Sequence, residues 1–294
     1  MDLPLYTQAI AIAAAMFYIT GIVFALEAII KARTSQGAIA WTISLFAVPF
    51  IALPCYLVFG RNKFKGYLEQ RAEIEEESLS LVQKTSGLIA RHIIPTSQDS
   101  PLYTSLFNLA RMPATAGNKV ELLIDGIQTF DSIIAGLESA QKYIMVEFYI
   151  FRDDELGKRL ARILANKART GVKVYLLYDE IGSRKFGKTR LCKGLKMAGV
   201  NVAAFNTRQG VRNRFQLNFR NHRKIVVVDG KSAWVGGHNV GDEYLGKNKK
   251  IGHWRDTHTR VQGPCVLGAE IAFATDWRWA MRKPMEIQWD FVGE

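Results

Sequence analysis

Apolar positions run almost unbroken through the first sixty residues and only later fall into short blocks of strand or helix spacing. Residues 8–30, QAIAIAAAMFYITGIVFALEAII, hold one ionisable side chain, Glu27, and residues 38–59, AIAWTISLFAVPFIALPCYLVF, hold none. A helix needs about 20 apolar residues to cross a hydrocarbon core of about 30 Å. Both runs are therefore expected to span, with Pro49 and Pro54 as kinks that membrane helices tolerate. A cleaved leader is disfavoured, because MDLPLYTQ places no positive charge ahead of the first run. Residues 64–93 mix charge with intermittent apolar positions, which predicts a juxtamembrane helix and a second short one. Within it, Glu75, Glu76 and Glu77 read as a solvated face, and Pro95–Thr104 reads as polar and turn-rich.

From Lys119 the pattern becomes regular. Lys119–Ile124 predicts a strand, Asp125–Gly126 a turn, and Ile127–Gln141 a helix with Ile127, Phe130, Ile134 and Leu137 as its apolar stripe. Tyr143–Phe151 reads as a buried strand interrupted by Glu147, whose carboxylate needs solvent or a partner. Leu156–Arg169 predicts a helix stopped by Gly171, Val172–Tyr178 a strand, Thr189–Ala198 a helix and Val200–Phe205 a strand. These lengths predict parallel pairing through helical crossovers. His258–Gln262 is a further strand, and Pro264 opens a helix carrying Val266, Ala269, Ile271 and Phe273 towards Trp277 and Trp279.

Charge adds a direction to this picture. The 294-residue chain has a formal charge of +12, from 39 Lys and Arg against 27 Asp and Glu, which favours anionic partners without choosing between nucleic acid and a lipid surface. Arg184, Lys185 and Lys188 follow a strand end, and Arg208, Arg212, Arg214 and Arg220 crowd the approach to residue 221, as a solvated loop or, given the motif that begins there, as a candidate surface for lipid phosphates. Lys31 and Arg33 between the apolar runs, against Arg61, Lys63 and Lys65 after them, slightly favour a cytoplasmic catalytic part. Cys55, Cys192 and Cys265 are widely spaced and form no paired-thiol or metal-ligand pattern, so they read as small buried residues.

Candidate chemistry concentrates in Asn221–Asn239, NHRKIVVVDGKSAWVGGHN. His222 and Lys224 are two apart and share a face of an extended strand, Ile225–Val228 continues it, Asp229-Gly230 turns it, and Ser232–Val235 returns. Gly236 and Gly237 end the second strand where a loop can approach a ligand closely. An imidazole can attack a phosphodiester to form a phosphohistidine, while a second acid protonates the leaving oxygen. Lys224 and Asn239 can neutralise and orient the phosphoryl oxygens, and the arrangement requires neither metal nor cofactor.

The spacing His-x-Lys, four residues, Asp, six residues, Gly-Gly-x-Asn resembles the phospholipase D superfamily, and the flanks look like those of bacterial cardiolipin synthases. That resemblance implies an α/β fold, a phospholipase D-like mixed sheet flanked by helices and preceded by two transmembrane helices. It implies a membrane anchor over 1–60, a helical connector over 61–104 and a first catalytic half over 105–294, in a multi-pass protein of the bacterial inner membrane. The implied site has His222, Lys224 and Asp229 in the catalytic motif, supported by Asn239, Gly236, Gly237, Asp256 and Glu147. Asp256, in WRDTH, is expected to orient His222, whereas Asp229 is expected to hydrogen-bond at its turn. The implied partners are phosphatidylglycerol and other anionic lipid, with no nucleic acid expected, and the implied reaction moves a phosphatidyl group between two phosphatidylglycerol molecules with release of glycerol; a membrane phospholipase D that hydrolyses phospholipids and a catalytically silent membrane interaction protein are the alternative readings. The superfamily pattern normally has two histidine motifs, and this chain carries one. A missing second half is the favoured expectation over a one-motif homodimer.

Overall fold

A computed structural model describes residues 4–32, 34–60, 87, 89–95, 100–110, 112–205 and 220–287. Arg208, Arg212 and Arg214, and most of the expected 61–104 connector, lie outside the described residues. The chain divides into two compact units, one built on the helices before residue 61 and the other on the sheet.

In the first unit, α1 (Leu5–Lys31) is long and apolar enough to cross a membrane, and it is the one such helix among the described residues. The expectation of two transmembrane helices and a multi-pass topology is corrected here. Residues 38–59 do not form one helix: α2 (Ser35–Ala47) stops at Val48, α3 (Pro49–Cys55) restarts on Pro49, and Tyr56–Gly60 is a single π-helical stretch. Val48 has φ −139° and ψ 61°, outside the helical region, and Pro49 has no N–H to continue the ladder. The 13 residues of α2 rise only about 20 Å. Ala25, Ala28, Leu45, Ala52, Leu53 and Tyr56 form the buried cluster of this unit, and a side chain at Gly21 would lie 2.8 Å from the Leu45 carbonyl oxygen.

The second unit holds a seven-stranded mixed sheet of order β1-β7-β6-β5-β2-β3-β4. The strands are β1 (Lys119–Ile124), β2 (Tyr143–Phe148), β3 (Lys173–Asp179), β4 (Asn201–Phe205), β5 (Lys224–Val228), β6 (Ser232–Gly236) and β7 (Thr257–Gln262). β2, β3 and β4 pair in parallel as their spacing predicts, and the remaining pairs are antiparallel. Every residue of β2 is buried, as an apolar run covered on both faces requires.

The helices of this unit are α4 (Pro101–Ala110), α5 (Asp125–Ser139), α6 (Glu155–Arg169), α7 (Arg190–Met197) and α8 (Val266–Met281). α5, α6 and α7 pack on one face through Phe130, Ile134, Leu160, Leu164 and Leu195 against Ile144, Val146, Val174 and Val226. α8 covers the other face, where Trp277 meets Tyr175 edge to face at 5.0 Å. Two local expectations shift. α5 starts at Asp125, so Asp125–Gly126 is its first turn, Ile127 is exposed, and Ile133 takes its place in the buried stripe. α4 starts inside the stretch read as turn-rich, on Pro101, whose missing N–H is an orphan of the first turn in any helix.

The α8 layer also buries a carboxyl. Glu270 accepts the Tyr143 hydroxyl at 2.6 Å, and its buried Oε2 has no hydrogen-bond partner among the described residues. Burial pushes the Glu270 carboxyl up to about 8, against an opposing pull from the Tyr143 bond. Its ordinary value is 4.5, so the folded chain keeps a proton that the unfolded chain releases across this window. The stability supplied by the neutral acid is complete below pH 4.5 and is lost as pH rises through about 8. Glu270→Gln is expected to match the parent at low pH and to exceed it above pH 8 by up to about 5 kcal/mol in denaturant unfolding.

Candidate active site

The pairing registers bring the ends of β1, β2, β3, β4 and β6 and the starts of β5 and β7 to one edge of the sheet. Open sheets bind ligands beyond the carboxyl ends of their parallel strands, and this edge lies beyond β2, β3 and β4. His222 is exposed there, two residues before Lys224 opens β5. Lys224 Nζ donates to the His222 carbonyl oxygen at 2.6 Å and stands 5.8 Å from the centre of the Tyr149 ring. That ring stacks on the His222 imidazole, centroids 3.9 Å apart and planes 23° apart. Burial and the Lys224 charge hold His222 below its ordinary value, outweighing the pull of Asp179, and thereby favour the neutral, nucleophilic imidazole. Burial also lowers Lys224, with Asp256 opposing.

Behind His222 lies a buried polar cluster. Asn221 Nδ2 donates to Glu147 Oε1 and, at 2.9 Å, to Asp276 Oδ2, while Arg223 Nη1 pairs with the same Asp276 oxygen. Glu147 faces α8 from the middle of the sheet, and burial, reinforced by Asp276, raises its carboxyl well above the ordinary range. The partner that Glu147 needs is therefore Asn221, the residue before the histidine. Asp276 carries no sequence signal for this role, because it lies 55 positions from Asn221 and within a helix.

The loop after β6 holds the remaining motif residues. Asn239 Oδ1 accepts the Ile150 N–H at 3.0 Å, and its Nδ2 donates to the Tyr244 hydroxyl at 2.9 Å. Both ends of this buried amide thus fasten the loop. A side chain at Gly236 would collide with His258, and one at Gly237 with the Asp256 carboxylate. The glycines make room for those two residues. Asp256 accepts the Thr257 N–H at 2.7 Å and the Trp254 indole N–H at 3.3 Å, and its own N–H donates to Asp125 at 3.1 Å. Its hydrogen bonds among the described residues do not include His222. Beneath Gly236, His238 and His258 face each other in the core with Nδ1 atoms 3.3 Å apart, and burial pushes His258 down to about 3. Asp229 stands at the opposite edge, where its carboxylate accepts the N–H groups of Gln141, Lys142 and Tyr143. The structure therefore brings His222, Lys224 and Glu147 into one neighbourhood and Asn239, Gly236, Gly237 and Asp256 into the adjoining loop, and it leaves Asp229 away from both.

Residues 133–261 match a family model described as cardiolipin synthase, phospholipase D-like domain. The chain is 45% identical over 271 residues to cardiolipin synthase A of Pseudomonas putida (strain W619), a match covering 91% of this chain and 56% of that protein. It is 45% identical over 272 residues to cardiolipin synthase A of Pseudomonas fluorescens Pf-5, covering 92% and 57%. The chain spans just over half the length of these curated relatives. Among solved structures, the phosphatidylserine synthase of Haemophilus influenzae Rd KW20 is similar at 19% identity and a TM-score of 0.45, covering 62% of this chain and 44% of that one.

Proposed function

Because the chain belongs to the phospholipase D superfamily and is closely related to bacterial cardiolipin synthase A, we propose that it is a phosphatidyltransferase of phospholipid metabolism. Its donor and acceptor are phosphatidylglycerol. The observation that carries this reading is the exposed His222 imidazole at the strand-end edge, with the Lys224 cation two residues away.

In the proposed reaction a His222 ring nitrogen attacks phosphorus, and the bond from phosphorus to the headgroup glycerol oxygen breaks. That oxygen leaves as glycerol after taking a proton from an acid on a second motif. The hydroxyl of a second phosphatidylglycerol then attacks the phosphohistidine, the phosphorus–nitrogen bond breaks, and the hydroxyl proton returns to the same group. Lys224 offsets negative charge developing on the phosphoryl oxygens. Asn239, Gly236, Gly237 and Asp256 shape the neighbouring loop, and Glu147 anchors Asn221. Residues 105–294 act as one catalytic half joined through the 61–104 connector to the apolar helices, and a second histidine motif comes from outside residues 1–294 or from a second copy.

The test presents phosphatidylglycerol liposomes to the purified chain, alone and with the part of the Pseudomonas putida relative that lies outside the match. Mass spectrometry of the lipids is expected to find little cardiolipin from the chain alone and an increase, with equimolar glycerol, on complementation. Phosphatidic acid in place of cardiolipin would make water the acceptor. Robust cardiolipin formation by a monomer of the chain alone would sink the half-site arrangement.

A further inference from the structure

Tyr149 has no part in the reaction as written, yet the His222 imidazole rests on its ring. Among the described residues no hydrogen bond reaches the His222 ring, and the Asp256 carboxylate accepts from Trp254 and Thr257. An imidazole held only through its Cβ turns about two torsions, and a nucleophile misplaced by about 1 Å loses about 100-fold in rate. The stacked ring removes that freedom. It covers one face of the imidazole and does not itself block the ring plane, which is where a nitrogen lone pair meets phosphorus.

Tyr149 is itself held firmly. Its carbonyl oxygen accepts Ser183 Oγ at 2.9 Å, and the same oxygen of Ser183 accepts the Phe151 N–H at 2.8 Å. Its ring lies against Gly182, where a Cβ would stand 2.7 Å from the ring Cε2. Its hydroxyl accepts Arg220 Nη1 at 3.3 Å. One carboxylate then ties the two sides of the stack together. Asp179 Oδ1 accepts the N–H groups of Ile181 and Gly182 beneath Tyr149, both at 2.8 Å, and its Oδ2 accepts the Asn221 N–H next to His222 at 2.9 Å.

We propose that Tyr149 is a positioning residue whose ring, stacked on His222, sets the plane in which the imidazole nitrogen meets phosphorus. The proposal rests on His222 as the nucleophile argued above. It is tested on the full chain, labelled with carbon-13 in the imidazole rings, as parent, Tyr149→Leu and Tyr149→Phe. The ring current of Tyr149 shifts the His222 carbon-bound protons upfield. That shift is expected to persist in the Phe variant and to disappear in the Leu variant. In the complemented enzyme, Tyr149→Leu is expected to lower kcat about 100-fold with KM within about 3-fold, while Tyr149→Phe stays within about 3-fold of the parent in both. Parent-like His222 resonances in the Leu variant overturn the positioning role, as does a Phe variant as impaired as Leu, which would place the function in the hydroxyl. If the parent forms no covalent phosphate on His222, the transferase reading falls and takes this role with it. A parent adduct with unshifted Leu-variant resonances overturns the positioning role alone.

Discussion

Replacing His222 with Gln is expected to lower phosphatidyl transfer by the complemented enzyme at least about 10,000-fold, with the unfolding midpoint unchanged. The two halves of this expectation have separate causes. His222 is exposed and outside the strands, so its removal leaves no buried group unpaired, and such surface changes stay within about 0.5 kcal/mol. Gln can still donate and accept hydrogen bonds but offers no nitrogen nucleophile, so the covalent step is lost and not merely slowed by misplacement. Acid-labile lipid phosphate trapped on a peptide containing His222 in the parent, and missing in the variant, is the direct check. The pH profile supplies a second one. His222 is held below its ordinary 6.5, so its neutral form already predominates at that pH and the acid limb of kcat/KM is expected below it. A variant retaining a tenth of the parent activity would remove His222 from the covalent step.

The sheet is legible in the chain because its strands are short apolar blocks separated by Gly, Asp and Asn, and pairing preserves those blocks. β1 coincides with its expected bounds, and β2 to β7 differ from theirs by a few residues. The apolar amino-terminal region is misread for a physical reason. Hydropathy sums over 38–59 without registering that Val48 must leave the helix before Pro49, and the resulting α2 is too short for a span. Composition measures whether a segment tolerates lipid, whereas the backbone decides its length.

The site divides in the same way. Spacing along β5 is local, so placing His222 and Lys224 at one edge needs no tertiary knowledge. Partners across the fold are not encoded locally. Asn239 offers an amide suited to phosphate, but Ile150 and Tyr244 take up both of its ends. Asp256 is a carboxylate on the element expected to orient the histidine, but Thr257 and Trp254 engage it. Beside them stand an aromatic ring from the end of β2 and an amide clamp built from Asn221, Glu147 and Asp276. Residues such as Tyr149 read in sequence as ordinary strand aromatics, because that ring meets Gly182 and His222, both distant in sequence.

Asp229 stands at the far end of β5 from His222, and its replacement is expected to act on stability. The turn Val228–Lys231 closes through the Lys231 N–H and the Val228 carbonyl at 3.0 Å, with φ of 52° at Asp229 and 66° at Gly230. Positive φ at both central residues is the hairpin turn that matches strand twist, and Asp is among the few residues that adopt it readily. Its carboxylate then accepts three N–H groups at 2.8 Å from Gln141, Lys142 and Tyr143, pinning the start of β2 to the end of β5. Asp229→Ala removes all three charge-assisted bonds and places a Cβ residue in the left-handed region, for an expected loss of about 4 kcal/mol in denaturant unfolding. Asp229→Gly relieves the backbone part and is expected to be about 1 kcal/mol less damaging, while Asp229→Asn keeps some acceptors and falls nearest the parent. The five residues of β5, about 16 Å of strand, lie between this turn and the His222 segment, so kcat per folded molecule should change less than about 3-fold. A variant with the parent's unfolding midpoint and a collapsed kcat would return Asp229 to the catalytic machinery.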